Sequence, residues 1–171
     1  MSLTGKRALI TGGAIRVGRA ITLALARAGC DVCIHYGRSA DAAEETRSEV
    51  DALGRKGTLL SADLRSADAV KDLVPRAVAD GGLLDILVNS AAIFLDGRLA
   101  ETSFEMWDEQ FSINLRAPYF LSKAFAAQVP ERGSGHIVNI NDARINRPDS
   151  DHSAYRLTQS ALADMTRNLA L

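Results

Sequence analysis

Thr11-Gly12-Gly13-Ala14-Ile15-Arg16-Val17-Gly18 follows a short apolar run, Arg7-Ala8-Leu9-Ile10, and leads into a helix-like run from Val17. A strand that feeds a glycine turn and then a helix presents bare backbone N–H groups, the surface a pyrophosphate needs. Gly12 and Gly13 suit a turn with unusual φ and close ligand approach. Gly18 lets the new helix pack tightly on the sheet. The dinucleotide fingerprint carries a glycine two places before Gly18, where this chain has Arg16. Arginine there adds fixed positive charge to a phosphate site. Taken alone, the glycines also fit an ordinary turn, so the flanking segments decide.

Outward from the turn, five apolar runs read as buried parallel strands: Ala8–Ile10, Val32–Ile34, Thr58–Leu60, Ile86–Val88 and Ile137–Ile140. Helical periodicity separates them, with one stripe at Ala20, Ile21, Ala24, Leu25 and Ala28 and another at Val70, Leu73, Val74, Ala77 and Val78. Pro75 is expected to kink the second helix or mark its boundary. Thr102 and Glu105 form a capping box before the helix of Trp107. A last helix begins near Ser153, with Leu162, Met165 and Leu169 on one side. Strand alternating with helix predicts an α/β, Rossmann-like, doubly wound parallel sheet with right-handed crossovers, one domain over residues 1–171. The final Asn168-Leu169-Ala170-Leu171 is an apolar helix tip with no capping glycine and reads as a cut.

The 171 residues are 47% hydrophobic and 24% charged, the balance of an ordinary soluble globular protein. A net charge of −1 argues against nucleic acid or a membrane surface as the main partner. There is no apolar run of membrane-spanning length and no secretory core at the start, so the expected location is cytoplasmic. Cys30 and Cys33 stand as C-x-x-C, but Cys30 follows a helix-end signal and Cys33 lies within a strand, which favours structural thiols over a redox pair. His35, His136 and His152 lack metal-ligand spacing, and no metal site is expected.

Candidate site residues gather at the predicted strand ends. After the second strand comes His35-Tyr36-Gly37-Arg38-Ser39, basic and hydroxylic where an NAD-selective fold places an acid. Arg16 and Arg38 suit the 2′-phosphate of NADP. Asp63-Leu64 can meet an adenine edge, or Asp63 can simply be a charge before a helix opened by Ser66 and Asp68. Asn89-Ser90-Ala91-Ala92 offers small side chains where a cofactor lies flat, and Asn141-Asp142 places a carboxyl at the same edge. Tyr155 opens a helix, with Gln159 one turn on.

In this order the glycine turn, Asp63, Asn89-Ser90-Ala91, Asn114 and Tyr155 resemble the short-chain dehydrogenase/reductase family from the first strand to residue 171. Arg16 in the turn, His35–Ser39, Asp142 where most relatives carry serine, and Phe94 are similar to the pteridine-reductase-like branch. The resemblance implies that NADP(H) is held by Gly12, Ile15, Arg16, Val17 and Gly18, by His35, Tyr36, Arg38 and Ser39, by Asp63 and Leu64, and by Asn89, Ser90 and Ala91. It implies a small-molecule substrate, pterin-like or carbonyl, at Arg16, Phe94, Asp142 and Tyr155. Phe94 would stack the substrate ring, although core packing also suits a phenylalanine. Catalysis would fall to Tyr155 as proton donor, Asp142, Asn114 at a helix kink and a relay water, and Gln159. A homodimer or homotetramer through the helices around Pro118–Gln128 and Ser153–Leu171 is also implied.

Two departures stand out. The family's Tyr-x-x-x-Lys is here Tyr155-Arg156-Leu157-Thr158-Gln159. A charge about 5 Å from the phenol at an effective dielectric of about 20 is worth roughly 3 kcal/mol, about two pKa units. Gln159 can bond a ribose hydroxyl but supplies no charge. Arg144 and Arg156 are the nearest cations, with Arg156 facing away by helical position. In addition, relatives continue with two more strands and a substrate loop, so the C-terminal strands are expected to be absent and the fifth strand exposed at an edge. An NADP(H)-dependent reductase is therefore expected, with a catalytically impaired NADP-binding sensor or accessory protein as the alternative.

Overall fold

The computed structural model describes residues 2–147 and 150–170. Among them β1 (Arg7–Thr11), β2 (Asp31–Tyr36), β3 (Gly57–Ser61), β4 (Ile86–Asn89) and β5 (His136–Asn139) form one parallel sheet in the order β3-β2-β1-β4-β5. The chain runs outward in one direction from β1 to β3, then crosses back to β4 and β5. That reversal opens a crevice at the strand ends between β1 and β4, where such sheets bind ligands. Leu9 sits level with Cys33 on one side and Leu87 on the other.

Alternation along the strands divides the core into two layers. Ala8, Ile10, Val32 and Ile34 face helices α1 (Arg16–Arg27) and α2 (Ala40–Ala52), where Leu23, Ala26, Ala43 and Val50 cover them. Leu9, Cys33 and Leu87 face α3 (Ala67–Gly81) and α5 (Ala117–Arg132) through Leu73, Ala77, Leu121 and Phe125. Between β4 and β5 the chain also forms α4 (Phe104–Phe111) and a π-helical turn, Ser112–Arg116, that runs into α5. A short 3-10 turn, Ala143–Asn146, precedes α6 (Ser153–Leu169). At the opposite edge, the buried Arg7 guanidinium donates to the carbonyls of Ala77 (2.5 Å) and Gly82 (2.7 Å), tying the end of α3 to β1.

Three sequence expectations are corrected. The buried face of α1 is Gly18, Thr22, Leu23 and Ala26, while Ala20 and Ala24 are exposed. Thr22 occupies that face because its hydroxyl bonds the carbonyls of Gly13 and Gly18, which apolar periodicity does not register. Pro75 does not end α3: it lies on the exposed side, where the carbonyl deprived of its partner meets water. The cap of α4 is Ser103, which accepts from the N–H of Met106, one residue later than the Thr102 box; Thr102 instead donates to the Arg98 carbonyl. As expected for an edge strand, β5 is half open to solvent, with Val138 44% exposed; Leu169, at the end of α6, is exposed too.

Cys30 and Cys33 are buried free thiols, and desolvation pushes them up to about 12 and about 11, so neither is a thiolate near neutral pH. No helix among the described residues is long and apolar enough to cross a membrane.

Candidate active site at the strand ends

The turn after β1 closes with little tolerance. A Cβ on Gly18 would fall 2.0 Å from the Gly12 carbonyl, and one on Gly12 would fall 3.0 Å from Cα of Ala91. Gly12 has φ +63°. Arg16 has φ +51°, the one described non-glycine residue with positive φ, at the place where the fingerprint has glycine. A side-chain residue there costs about 1 kcal/mol or more, and such strain persists where the surroundings or a function impose it. Ile15 caps α1 without a side-chain oxygen, and the first turn holds no acid, so the leading N–H groups face the crevice without a side-chain acceptor. Thr11 Oγ1 accepts from the N–H groups of Ser90 (3.0 Å) and Ala91 (3.1 Å), locking the β4 end beside the turn.

His35 underlies this turn. Its Nδ1 accepts from the Gly12 N–H (3.1 Å), which leaves the proton on Nε2 to donate to the Ala62 carbonyl (3.1 Å). Its own carbonyl accepts from the Gly13 N–H (3.0 Å). Burial holds the ring neutral by pulling its pKa from 6.5 to about 4, against the Ala62 carbonyl and with help from Arg76. Because the folded value lies below the unfolded one, the unfolded chain takes the proton first as pH falls. Stability is full above pH 6.5 and declines towards pH 4 by about 1.4 kcal/mol per pH unit, roughly 3 kcal/mol in all. Urea midpoints of the wild type and His35→Asn, which keeps an acceptor for Gly12, should therefore converge between pH 7 and pH 5. Parallel pH dependences would contradict this assignment.

A cleft of about 950 Å³ runs from Arg38 to Tyr155. The turn residues Gly12, Ile15, Arg16, Val17 and Gly18 line it, as do His35, Arg38, Asp63, Leu64, Ser90, Ala91, Phe94, Asp142 and Tyr155. Tyr36, Ser39, Asn89, Asn114 and Gln159 are not on its wall. Asn89 is buried and its amide donates to Asn139 Oδ1 (2.8 Å), joining β4 to β5. Arg16 and Arg38 make no ion pair with a described carboxylate. Asp63 is not the first charge of α3, which Ser66 caps. It is held by Arg65, whose side chain and N–H both bond it and keep its carboxyl below the usual range.

At the far end, Tyr155 donates its hydroxyl to Asp142 Oδ2 at 3.1 Å. Gln159 is buried behind them; its Oε1 accepts from the Asp142 N–H (3.2 Å), and its carbonyl accepts from Asn141 Nδ2 (3.0 Å). Arg156 points to the Ile145 carbonyl (3.3 Å), and the Arg144 side chain lies outside the described residues. Asn114 sits in the π-helical turn, where its side chain accepts from the Ile93 N–H and donates to the Ile93 carbonyl, both at 2.9 Å. Its amide also reaches Thr158 Oγ1 (3.3 Å) on α6, so one buried residue spans the loop after β4 and the tyrosine helix. Phe94 lies edge-on to Tyr155, with ring centroids 4.6 Å apart.

Sequence reasoning missed His152, whose ring stacks on Phe94 with a centroid distance of 4.2 Å. It also missed Thr11 and Arg65, and Ile93, Ile113 and Ile140 as apolar wall. The stretch Ser61-Ala62-Asp63 continuing from β3 carried a usable signal for Arg65, since an arginine two residues from an acid at a strand end readily folds back on it. The described residues contain no cluster of His, Cys, Asp and Glu able to hold a metal ion.

Residues 6–171 match the short chain dehydrogenase family. The chain belongs to the short-chain dehydrogenase/reductase family. The 2-dehydro-3-deoxy-D-gluconate 5-dehydrogenase of Escherichia coli K12 is 35% identical over 170 residues, 99% of this chain. The chain spans 66% of that relative's length. A short chain dehydrogenase from Burkholderia cenocepacia J2315, solved in complex with NADP, superposes with a TM-score of 0.92 at 37% identity, covering 99% of this chain and 69% of that one. FolM alternative dihydrofolate reductase 1 from Brucella canis, complexed with NADP, gives 0.93 at 32% identity with the same coverage. At these TM-scores the two neighbours share the fold described above.

Proposed function

We propose that this chain carries the nucleotide-binding and proton-donating parts of an NADPH-dependent reductase of the pteridine-reductase-like branch, acting on a pterin-like or carbonyl substrate. The observation that carries the reading is the Tyr155 hydroxyl resting on Asp142 at 3.1 Å, beside Phe94, in the cleft that begins at Arg16 and Arg38. The likeness to NADP complexes, one of them an alternative dihydrofolate reductase, supports it.

The residues suit a dinucleotide phosphate. Gly12 and Gly18 leave room for no side chain, the start of α1 offers N–H donors, and Arg16 and Arg38 bring two cations to the cleft wall, neither ion-paired with a described carboxylate. Asp63 and Leu64 flank the adenine position, and Ser90 and Ala91 form the flat floor. NADPH, when bound, supplies a hydride. Tyr155 supplies the proton to the substrate atom that gains negative charge, directly or through water. Asp142 orients the phenol and accepts a donor group of the substrate. Asn114 fixes the loop carrying Ile93 and Phe94 against α6. Gln159 holds the Asp142 backbone in place of supplying charge.

Calorimetric titration tests the cofactor assignment. NADPH is expected to bind at least tenfold more tightly than NADH, and Arg38→Asp to lower that preference by about 10²-fold, because a carboxylate repels the 2′-phosphate. Equal affinities in the unchanged protein would sink the assignment. The protein is also proposed to assemble as a homodimer or homotetramer. A groove of about 1,060 Å³ between α4, the π-helical turn, α5 and α6 is lined by Phe111, Leu115, Tyr119, Phe120, Met165 and Leu169, an apolar surface of the kind that pairs with a second copy.

A further inference from the structure

The loop after β4 is docked on the start of α6 by contacts that converge on one side chain. Gly97 and His152 form a parallel bridge, with the Gly97 N–H donating to the Asp151 carbonyl (2.7 Å) and the Ser153 N–H donating to the Gly97 carbonyl (3.1 Å). Arg98 pairs with Asp151 at 2.8 Å. The His152 ring, 16% exposed, donates from Nε2 to Asp96 Oδ1 at 2.9 Å, which fixes its orientation. One face of that ring lies on Phe94 at 4.2 Å with the planes only 21° apart, while Phe94 stays 46% exposed on the cleft wall and meets Tyr155 edge-on.

We infer that His152 is a specificity-determining positioning residue: it backs Phe94 to make a rigid aromatic shelf, next to the Tyr155 hydroxyl, that selects flat conjugated rings over non-planar carbonyl compounds. This rests on the reductase reading above. A substrate stacking on a half-exposed phenylalanine has to order it, and contacts that already hold the ring lower that cost. The imidazole supplies the face-to-face contact. Stacking geometry also makes Phe94 selective, since a flat partner can lie parallel to it where a puckered one cannot. The ring contact that His152 makes in the cleft is with Phe94, and through it His152 acts on the substrate.

Two substitutions separate the ring from its hydrogen bond. His152→Gln keeps a donor for Asp96 and loses the stacked ring, whereas His152→Phe keeps the ring and loses the donor. The full-length protein is assayed with NADPH on biopterin and menadione, both flat, and on an aliphatic ketone. Binding of biopterin to the protein loaded with oxidised NADP is measured by calorimetry. His152→Gln is expected to raise KM and Kd for the flat compounds about tenfold, with kcat changed less than about threefold and the ketone KM unmoved. His152→Phe is expected to restore the flat-ring KM to within about twofold. Equal losses in both variants, or an equal loss on the ketone, would reduce His152 to a loop anchor and overturn the inference. A wild type that reduces only the ketone would overturn the shelf and leave the reductase reading intact. Absence of turnover on all three would overturn that reading, and the shelf with it.

Discussion

Tyr155→Phe is expected to lower kcat for reduction by about 10³-fold while leaving the NADPH dissociation constant within about twofold. The substitution removes one oxygen. The ring, its edge contact with Phe94 at 4.6 Å and its buried place on α6 all remain. What disappears is the hydroxyl that donates to Asp142 and, in the proposed mechanism, protonates the substrate. Because the phenol acts in the transition state more than in the ground state, the loss falls on kcat and kcat/KM together. A loss smaller than about tenfold would mean that Asp142 or a water supplies the proton instead. Steady-state kinetics together with calorimetry separates these outcomes.

Gln159→Lys is expected to act in the opposite direction, raising kcat by about 10²-fold and moving the pH at which kcat declines to lower values. An ammonium group behind Tyr155 makes the phenol a stronger acid, so it gives its proton more readily. The exchange removes the Gln159 Oε1 acceptor from the Asp142 N–H, but that N–H also reaches Asn141 Oδ1 at 2.8 Å, so no buried donor is left unmatched. The carboxylate of Asp142, the residue whose N–H Gln159 now holds, offsets part of the cost of burying the new charge. An unchanged rate and profile, with cofactor binding intact, would show that another group already sets the acidity of Tyr155.

The sheet and its strand-end cleft were legible because their signals are local. Apolar runs of three to four residues, punctuated by glycine and polar clusters, located all five strands to within two residues at each end. Strand-end placement alone gathers Arg16, Arg38, Asp63, Ser90, Asp142 and Tyr155. The rest depends on contacts across the chain. His35 lines the cleft as expected, but that both its ring nitrogens are engaged, by Gly12 and Ala62, is a pairing set by the distance between two strands. Asn89 looked like cleft floor and instead joins β4 to β5, because the last residue of a strand can face either layer. The π-helical turn around Asn114 follows from one extra residue per turn, which leaves no mark in periodicity. His152 stacks on Phe94 across 58 positions of sequence, brought there by a bridge between two irregular loops that no spacing rule anticipates.

The most direct test of the reductase assignment follows the loss of NADPH absorbance with biopterin, menadione and an aliphatic ketone, using the full-length protein and Tyr155→Phe side by side. The account predicts NADPH-dependent reduction of at least one flat substrate by the wild type, little activity with NADH, and a loss of about 10³-fold in the variant. Tight NADPH binding with no turnover of any substrate would contradict it, and would make the chain a nucleotide-binding protein whose tyrosine and aspartate no longer perform chemistry.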